Sequence, residues 1–232
     1  MSNKMRIALI HATPVAVEPI ARAFRDQWPE AETVNVLDDG LSVDRASAGE
    51  LTAGLSRRIM ALAEYGLSTG ACGILFTCSA FGPAIEAVAN AFAVPVLKPN
   101  EAMFEEALRR GDNIGMVATF APAIASMEQE FTEEAARLRP TARLTTMLAE
   151  GAMDALRGGD DETHNRLVAD AVASLRSCDA TMLAHFSTSR AGAASRAASE
   201  RPVMSSPDAA VRKLRRLIEG GTEFASGPDK RR

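Results

Sequence analysis

The chain has 232 residues, of which 47% are hydrophobic, 24% charged and 5% aromatic, with a formal net charge of -4. This is an ordinary globular composition, long enough for one large domain or two small ones. Its basic residues are scattered, so a nucleic-acid partner is not expected.

The apolar run Ile7 to Ile10 is too short for a signal-peptide core or a membrane span, so a cytoplasmic protein without membrane contact is expected. Cys72, Cys78 and Cys178 cannot all pair and form no CxxC, which suits reduced thiols. His11, His164 and His185 are too few and too far apart in sequence to suggest a metal site. No glycine-rich phosphate fingerprint, GxGxxG or GxxxxGK(S/T), occurs.

Taken in chain order, short apolar runs alternate with amphipathic segments. Arg6 to Ile10 reads as a buried strand, followed by a helix with Val17, Ile20, Ala21, Phe24 and Trp28 at helical spacing. Thr33 to Leu37 is a second strand, and Leu51, Leu55, Ile59 and Leu62 mark one helix face. Gly73 to Thr77 is a third strand, a helix spans about 83 to 92, and Val94 to Leu97 is a fourth strand.

The second half follows suit. Strands are predicted at Asn113 to Ala118, Arg143 to Leu148, Thr181 to Ala184 and Pro202 to Met204. Helices carry Ile124, Met127, Phe131 and Leu138, then Leu167, Ala171 and Leu175, and finally Val211, Leu214, Leu217 and Ile218. The polar tail from Gly220 is expected to fray. Alternating strands and helices predict parallel sheets covered on both faces.

A constant offset relates the halves. Adding 107 takes Ile7 to Ile114, Leu75 to Met182, Cys78 to His185, and Pro95-Val96-Leu97 to Pro202-Val203-Met204. Three strands keep one register with no net insertion between them, which predicts two pseudo-symmetric α/β lobes. The expected division is 1–97 with 206–232 for the first lobe and 98–205 for the second.

Ligands of open parallel sheets bind beyond the carboxyl ends of the strands, so the residues leaving those ends are the candidates. They lie in His11 to Pro14, Thr77 to Ala80, Lys98 to Asn100, Ala118 to Phe120, His185 to Thr188, and Ser205-Ser206. Cys78 sits between a strand and a helix, where a helix N-terminus favours a thiolate. Cys72 and Cys178 precede their strands and are assigned structural roles. His185, at the repeat-equivalent place, is the candidate partner of Cys78.

His11 pairs by offset with Ala118, which disfavours a direct catalytic role, while His164, in a polar stretch, is expected at the surface. Thr13, Ser79, Thr119, Ser187 and Thr188 are candidate carboxylate binders, although hydroxyls at such turns also serve as helix caps. Lys98 suits an anionic substrate or a solvated surface equally.

The segments Thr77-Cys78-Ser79-Ala80, Asn113 to Thr119 and Thr181 to His185 resemble the aspartate/glutamate racemase superfamily, which includes maleate isomerase and arylmalonate decarboxylase. The resemblance spans nearly the whole chain up to about Gly220. It implies two flavodoxin-like lobes, each a four-stranded parallel sheet with helices on both faces, and an active site in the cleft between them. It also implies a small carboxylate substrate, no cofactor and a homo-oligomer.

Racemases of this kind carry one cysteine per lobe. Cys78 matches the first, and His185 stands at the second. The leading expectation is a cofactor-independent racemase or isomerase acting at an α-carbon, with Cys78 and His185 as an unlike acid–base pair. A single-cysteine decarboxylase, lyase or cis-trans isomerase, and a non-catalytic ligand-binding relative, are the alternatives.

Overall fold

The computed structural model of the chain describes residues 5–225, with side chains as far as residue 220. Contacts divide the chain into two compact units, Met1–Pro99 with Ala210–Arg232, and Asn100–Ala209.

The first unit contains β1 (Arg6–His11), α1 (Val17–Gln27), β2 (Glu32–Leu37), α2 (Gly40–Ala48), α3 (Ala53–Ser68), β3 (Gly73–Phe76), α4 (Gly82–Ala91) and β4 (Val96–Leu97). The second contains α5 (Glu101–Leu108), β5 (Asn113–Ala118), α6 (Ile124–Leu138), β6 (Arg143–Leu148), α7 (Ala152–Arg157), α8 (Asp161–Ser174), β7 (Ala180–Leu183), α9 (His185–Thr188), α10 (Gly192–Ala197) and β8 (Val203–Ser205). The closing helix α11 spans Ser206–Ala225 and belongs to the first unit from Ala210 onward. The fraying expected from Gly220 is therefore corrected as far as Ala225, and the rest of that tail lies outside the described residues.

Both sheets are parallel and have the same strand order, β2-β1-β3-β4 and β6-β5-β7-β8. Registers match as well: Ile7 faces Gly73 in one sheet and Ile114 faces Ala180 in the other, each pair 107 residues apart from its counterpart. Only β2 and β6 depart, because Arg6 faces Glu32 whereas Asn113 faces Arg143, an offset of 111 at that strand. The four extra residues before β6 are recovered before β7, which is why the sequence shows no net insertion.

The apolar strands need cover on both faces, and the helices supply it. In the first unit Ala8, Ile10, Ile74 and Phe76 pack on Leu55, Ile59 and Ala63 of α3 and Ile85 and Val88 of α4. In the second, Met116, Ala118 and Met182 face α5 and α6, while Val117 and Leu183 face α8. Full burial of each Leu, Ile or Phe contributes about 1.5–3 kcal/mol.

Close approach of α3 to β1 requires a glycine: a Cβ on Gly66 would stand 2.7 Å from Ala8 Cβ. In the second unit the strand position equivalent to Ala8 is itself a glycine. There Gly115 lies on the strand and Leu175 reaches it, 3.0 Å from where a Cβ would stand.

His164 corrects the sequence-based expectation of a surface histidine. It is fully buried, on the inward face of α8 with Val168, Ala171 and Val172. Its Nδ1 lies 3.0 Å from Asn165 Oδ1, and its Nε2 is buried without a hydrogen-bond partner. The acidic and polar residues around it occupy the solvent face of the same helix, which hid the inward spacing of four residues.

Among the described residues no helix is long and apolar enough to cross a membrane. Nor do three or more His, Cys, Asp or Glu side chains gather where they would hold a metal ion.

Candidate active site

In the first unit, the carboxyl ends of β1 and β3 present His11, Thr13, Thr77, Cys78 and Ser79. Cys78 is half-buried, its backbone extended at φ -131° and ψ 125°, and it opens a 3-10 turn over Ser79–Phe81 that leads into α4. The turn arises because Gly82-Pro83 starts the helix there, with proline tolerated in a first turn. Thr13 opens a matching turn at Pro14–Ala16, where its hydroxyl caps nothing, and it is half-buried like Ser79. The helix-cap alternative considered for Thr13 is thus not used.

His11 is fully buried and pinned from two sides: Nδ1 is 2.9 Å from Thr77 Oγ1, and Nε2 is 2.9 Å from Asn35 Oδ1 on β2. Burial pushes its imidazole below the usual histidine range, against the smaller opposing effect of the Asn35 hydrogen bond.

Two residues that the sequence reading passed over also belong to this end of the sheet. Asn35 is one. The other is Arg45 of α2, whose Nε donates to Ala80 O at 3.4 Å and so lays a half-buried cation against the turn after Cys78. Neither α2 nor its contact had a signal in sequence, since only Leu41 of that helix is buried. Lys98 pairs with Glu86 at 2.8 Å, an exposed ion pair on the first unit.

In the second unit, the ends of β5 and β7 present Thr119, His185, Ser187 and Thr188. His185 is the one non-glycine residue with positive φ among the described residues, at +68°. That conformation is costly for a side chain with a Cβ and is seen most often where the surrounding structure imposes it. His185 is half-buried, and burial holds its imidazole below the usual range, opposed in part by a backbone hydrogen bond at Ala184.

Thr188 is fully buried and its hydroxyl stands 3.4 Å from that of Thr119, which is nearly buried itself. Ser187 is half-buried. Beyond Thr119, Arg157 lies over the Phe120 ring at 5.9 Å. Arg190 approaches Asp161 at 3.8 Å with its Nε buried and unpartnered.

The remaining cysteines lie elsewhere. Cys72 donates to Arg6 O at 3.4 Å, before β3 begins. Cys178 is buried under β5, its thiol pushed up by burial and by Asp179, with Ser177 opposing. Of the three thiols, Cys78 alone stands at the carboxyl end of a strand.

The molecule is thus a two-unit parallel α/β protein, with a thiol at one central strand end and an imidazole at its counterpart. It belongs to the Asp/Glu/Hydantoin racemase family, whose model matches residues 9–180. Among solved structures, the chain is similar to glutamate racemase from Francisella tularensis in complex with D-glutamate, with a TM-score of 0.68 and 13% identity over 96% of this chain and 83% of that one.

It is similar also to allantoin racemase from Pseudomonas fluorescens, with a TM-score of 0.68 and 16% identity over 98% and 99% of the two chains. An aspartate racemase homologue from Pyrococcus horikoshii gives a TM-score of 0.67 and 16% identity over 92% and 99%. No curated protein matches. At such identities the likeness is one of fold, and family membership makes the chain a racemase-like enzyme.

Proposed function

We propose that the protein is a cofactor-independent racemase or isomerase that moves a proton at the α-carbon of an amino acid or small carboxylic acid. The observation that carries this reading is the equivalence of the two strand ends. Cys78 and His185 follow β3 and β7 in one register, and they are an acid–base pair by chemistry.

Inversion at a carbon next to a carboxylate needs one group on each face of a planar enolate. In one direction neutral His185 takes the α-proton and the Cys78 thiol returns one to the other face. In the reverse direction the Cys78 thiolate is the base and the His185 imidazolium the acid. The pair carries one proton in either resting form, so the reaction is balanced without a co-reactant. Burial of His185 favours its neutral state and hence the form in which it acts as the base.

The enolate charge requires donors already in place. Thr13, Ser79, Thr119 and Ser187 are proposed to hold the carboxylate together with exposed backbone N–H groups, with Thr188 orienting Thr119 and Arg45 adding a positive charge beside Ala80.

The test is interconversion of enantiomers across a panel of amino acids and hydroxy acids, followed by circular dichroism. Cys78→Ala is expected to lower the rate by about 10²–10⁴-fold. Full retention of activity in that variant removes Cys78 from the chemistry. The single strand-end thiol favours one second reading, a cysteine-dependent decarboxylase or lyase, which would release carbon dioxide or a cleaved product with no interconversion.

A further inference from the structure

A polar row crosses the carboxyl end of the first sheet, and proton transfer at the substrate does not by itself require it. It runs from Asn35 on β2 through His11 on β1 to Thr77 at the end of β3, with both side-chain contacts at 2.9 Å. His11 and Thr77 are buried, at 0% and 7% exposure. The carboxamide oxygen of Asn35 faces the ring and only accepts, so Nε2 of neutral His11 carries the hydrogen.

Nδ1 is then a bare acceptor, and the Thr77 hydroxyl is the donor that reaches it. The competing acceptor, Ile10 O, lies farther away at 3.3 Å from the same hydroxyl. Ile10 O also takes the Thr77 backbone N–H, at 3.0 Å. Thr77, the residue immediately before Cys78, is therefore fixed twice, by its backbone N–H and by its side chain.

We propose that His11 is a positioning residue for Cys78: through Thr77, the Asn35–His11–Thr77 row sets the direction in which the thiol leaves the strand. This rests on the reading of Cys78 as the reacting thiol.

The second unit shows what the same strand ends look like without the row. By register its counterparts are Ala118 for His11, Ala184 for Thr77 and Thr146 for Asn35. Two are apolar, and the hydroxyl of Thr146 is buried with no partner. The row is thus a feature of the Cys78 side and not a requirement of the fold.

The experiment is the rate at which iodoacetamide carboxamidomethylates Cys78 in the full-length protein, followed by mass spectrometry of the Cys78 peptide, with kcat and KM measured beside it. Thr77→Val and His11→Gln, whose amide reaches toward Asn35 and away from Thr77, are expected to change the alkylation rate several-fold. They should also lower kcat by up to about 10²-fold, with KM changed little, as for a small displacement of a reacting group.

Thr77→Ser keeps the hydroxyl and is expected to restore both readouts to near the parent values. Where Thr77→Val fails to fold, His11→Gln carries the test. Alkylation at the parent rate in folded Thr77→Val and His11→Gln, or no rescue by serine, overturns the proposal. If the reading of Cys78 is itself wrong, Cys78→Ala retains activity while the alkylation rates still respond to Thr77, so the two failures are distinguishable.

Discussion

The ends of β3 and β7 sit in one register yet are held by different physics. After β3 the chain stays extended, and Thr77 is tied to His11 and the β1 backbone before Cys78 begins its turn. After β7 no such side-chain tie exists, because Ala118 and Ala184 occupy those places. Instead the backbone turns sharply at His185 through a left-handed φ of +68°.

The segment that follows is longer as well. The 3-10 turn Ser79–Phe81 corresponds to Ser189–Ala191, an offset of 110 instead of 107, so one extra helical turn, α9, is inserted directly after β7. One repeat thus holds its strand-end residue by hydrogen bonding, the other by a left-handed backbone and an inserted turn.

Breaking this comparison at His185 should have the largest effect. His185→Gly removes the imidazole and relieves the left-handed conformation, and the comparison predicts loss of racemisation by about 10²–10⁴-fold. It also predicts a gain of about 1 kcal/mol in stability, because glycine adopts that φ without a Cβ penalty. Urea denaturation checks the second part. A variant less stable than the parent shows that the strain is not stored at that residue.

The helix–strand contact beneath each site sharpens the comparison next. Gly66→Ala is expected to destabilise by about 1–3 kcal/mol, since the new methyl meets the rigid Cβ of Ala8 at 2.7 Å. Gly115→Ala should cost less, because it meets the flexible ends of Leu175, Thr181 and Cys178 at 3.0–3.3 Å. Equal thermal shifts in the two variants contradict this.

The smallest effect is that of pH. The folded state holds both His11 and His185 below their ordinary pKa of 6.5. The unfolded chain therefore binds more protons in that range, and stability rises with pH. The contribution is complete above about 6.5 and is lost as pH falls below it, so the urea midpoint should drop between pH 7 and pH 5. His11→Gln and His185→Gly should each flatten that slope.

How much of this was legible in sequence follows from where the signal lay. Strands fully buried on both faces appear as apolar runs, so β1, β3, β5 and β7 were found to within a residue or so, and the constant offset exposed their pairing. Helices with little apolar surface were not found: α2 buries only Leu41 and α7 only Ala152. The helix α5 was missed despite buried Met103, Phe104 and Leu108, because its apolar cluster follows the strand end too closely to stand apart.

The equivalent placement of Cys78 and His185 is legible in sequence because the offset is a property of the backbone. The contacts of Asn35 and Arg45 are not legible there, because these residues come from a neighbouring strand and from a helix with little apolar surface. The offset pairs His11 with Ala118 and gives it no signal. His11 contacts Asn35 and Thr77, which no one-dimensional pattern joins to it.

The central claim is that two unlike groups work on opposite faces of one carbon. It is tested most directly by enantiomer-resolved α-proton exchange in deuterium oxide with the parent, Cys78→Ala and His185→Ala proteins. The account predicts exchange of both enantiomers in the parent, and in each variant a residual exchange confined to one enantiomer, of opposite hand in the two. Residual exchange of the same hand in both variants, or of both hands in either, would contradict it.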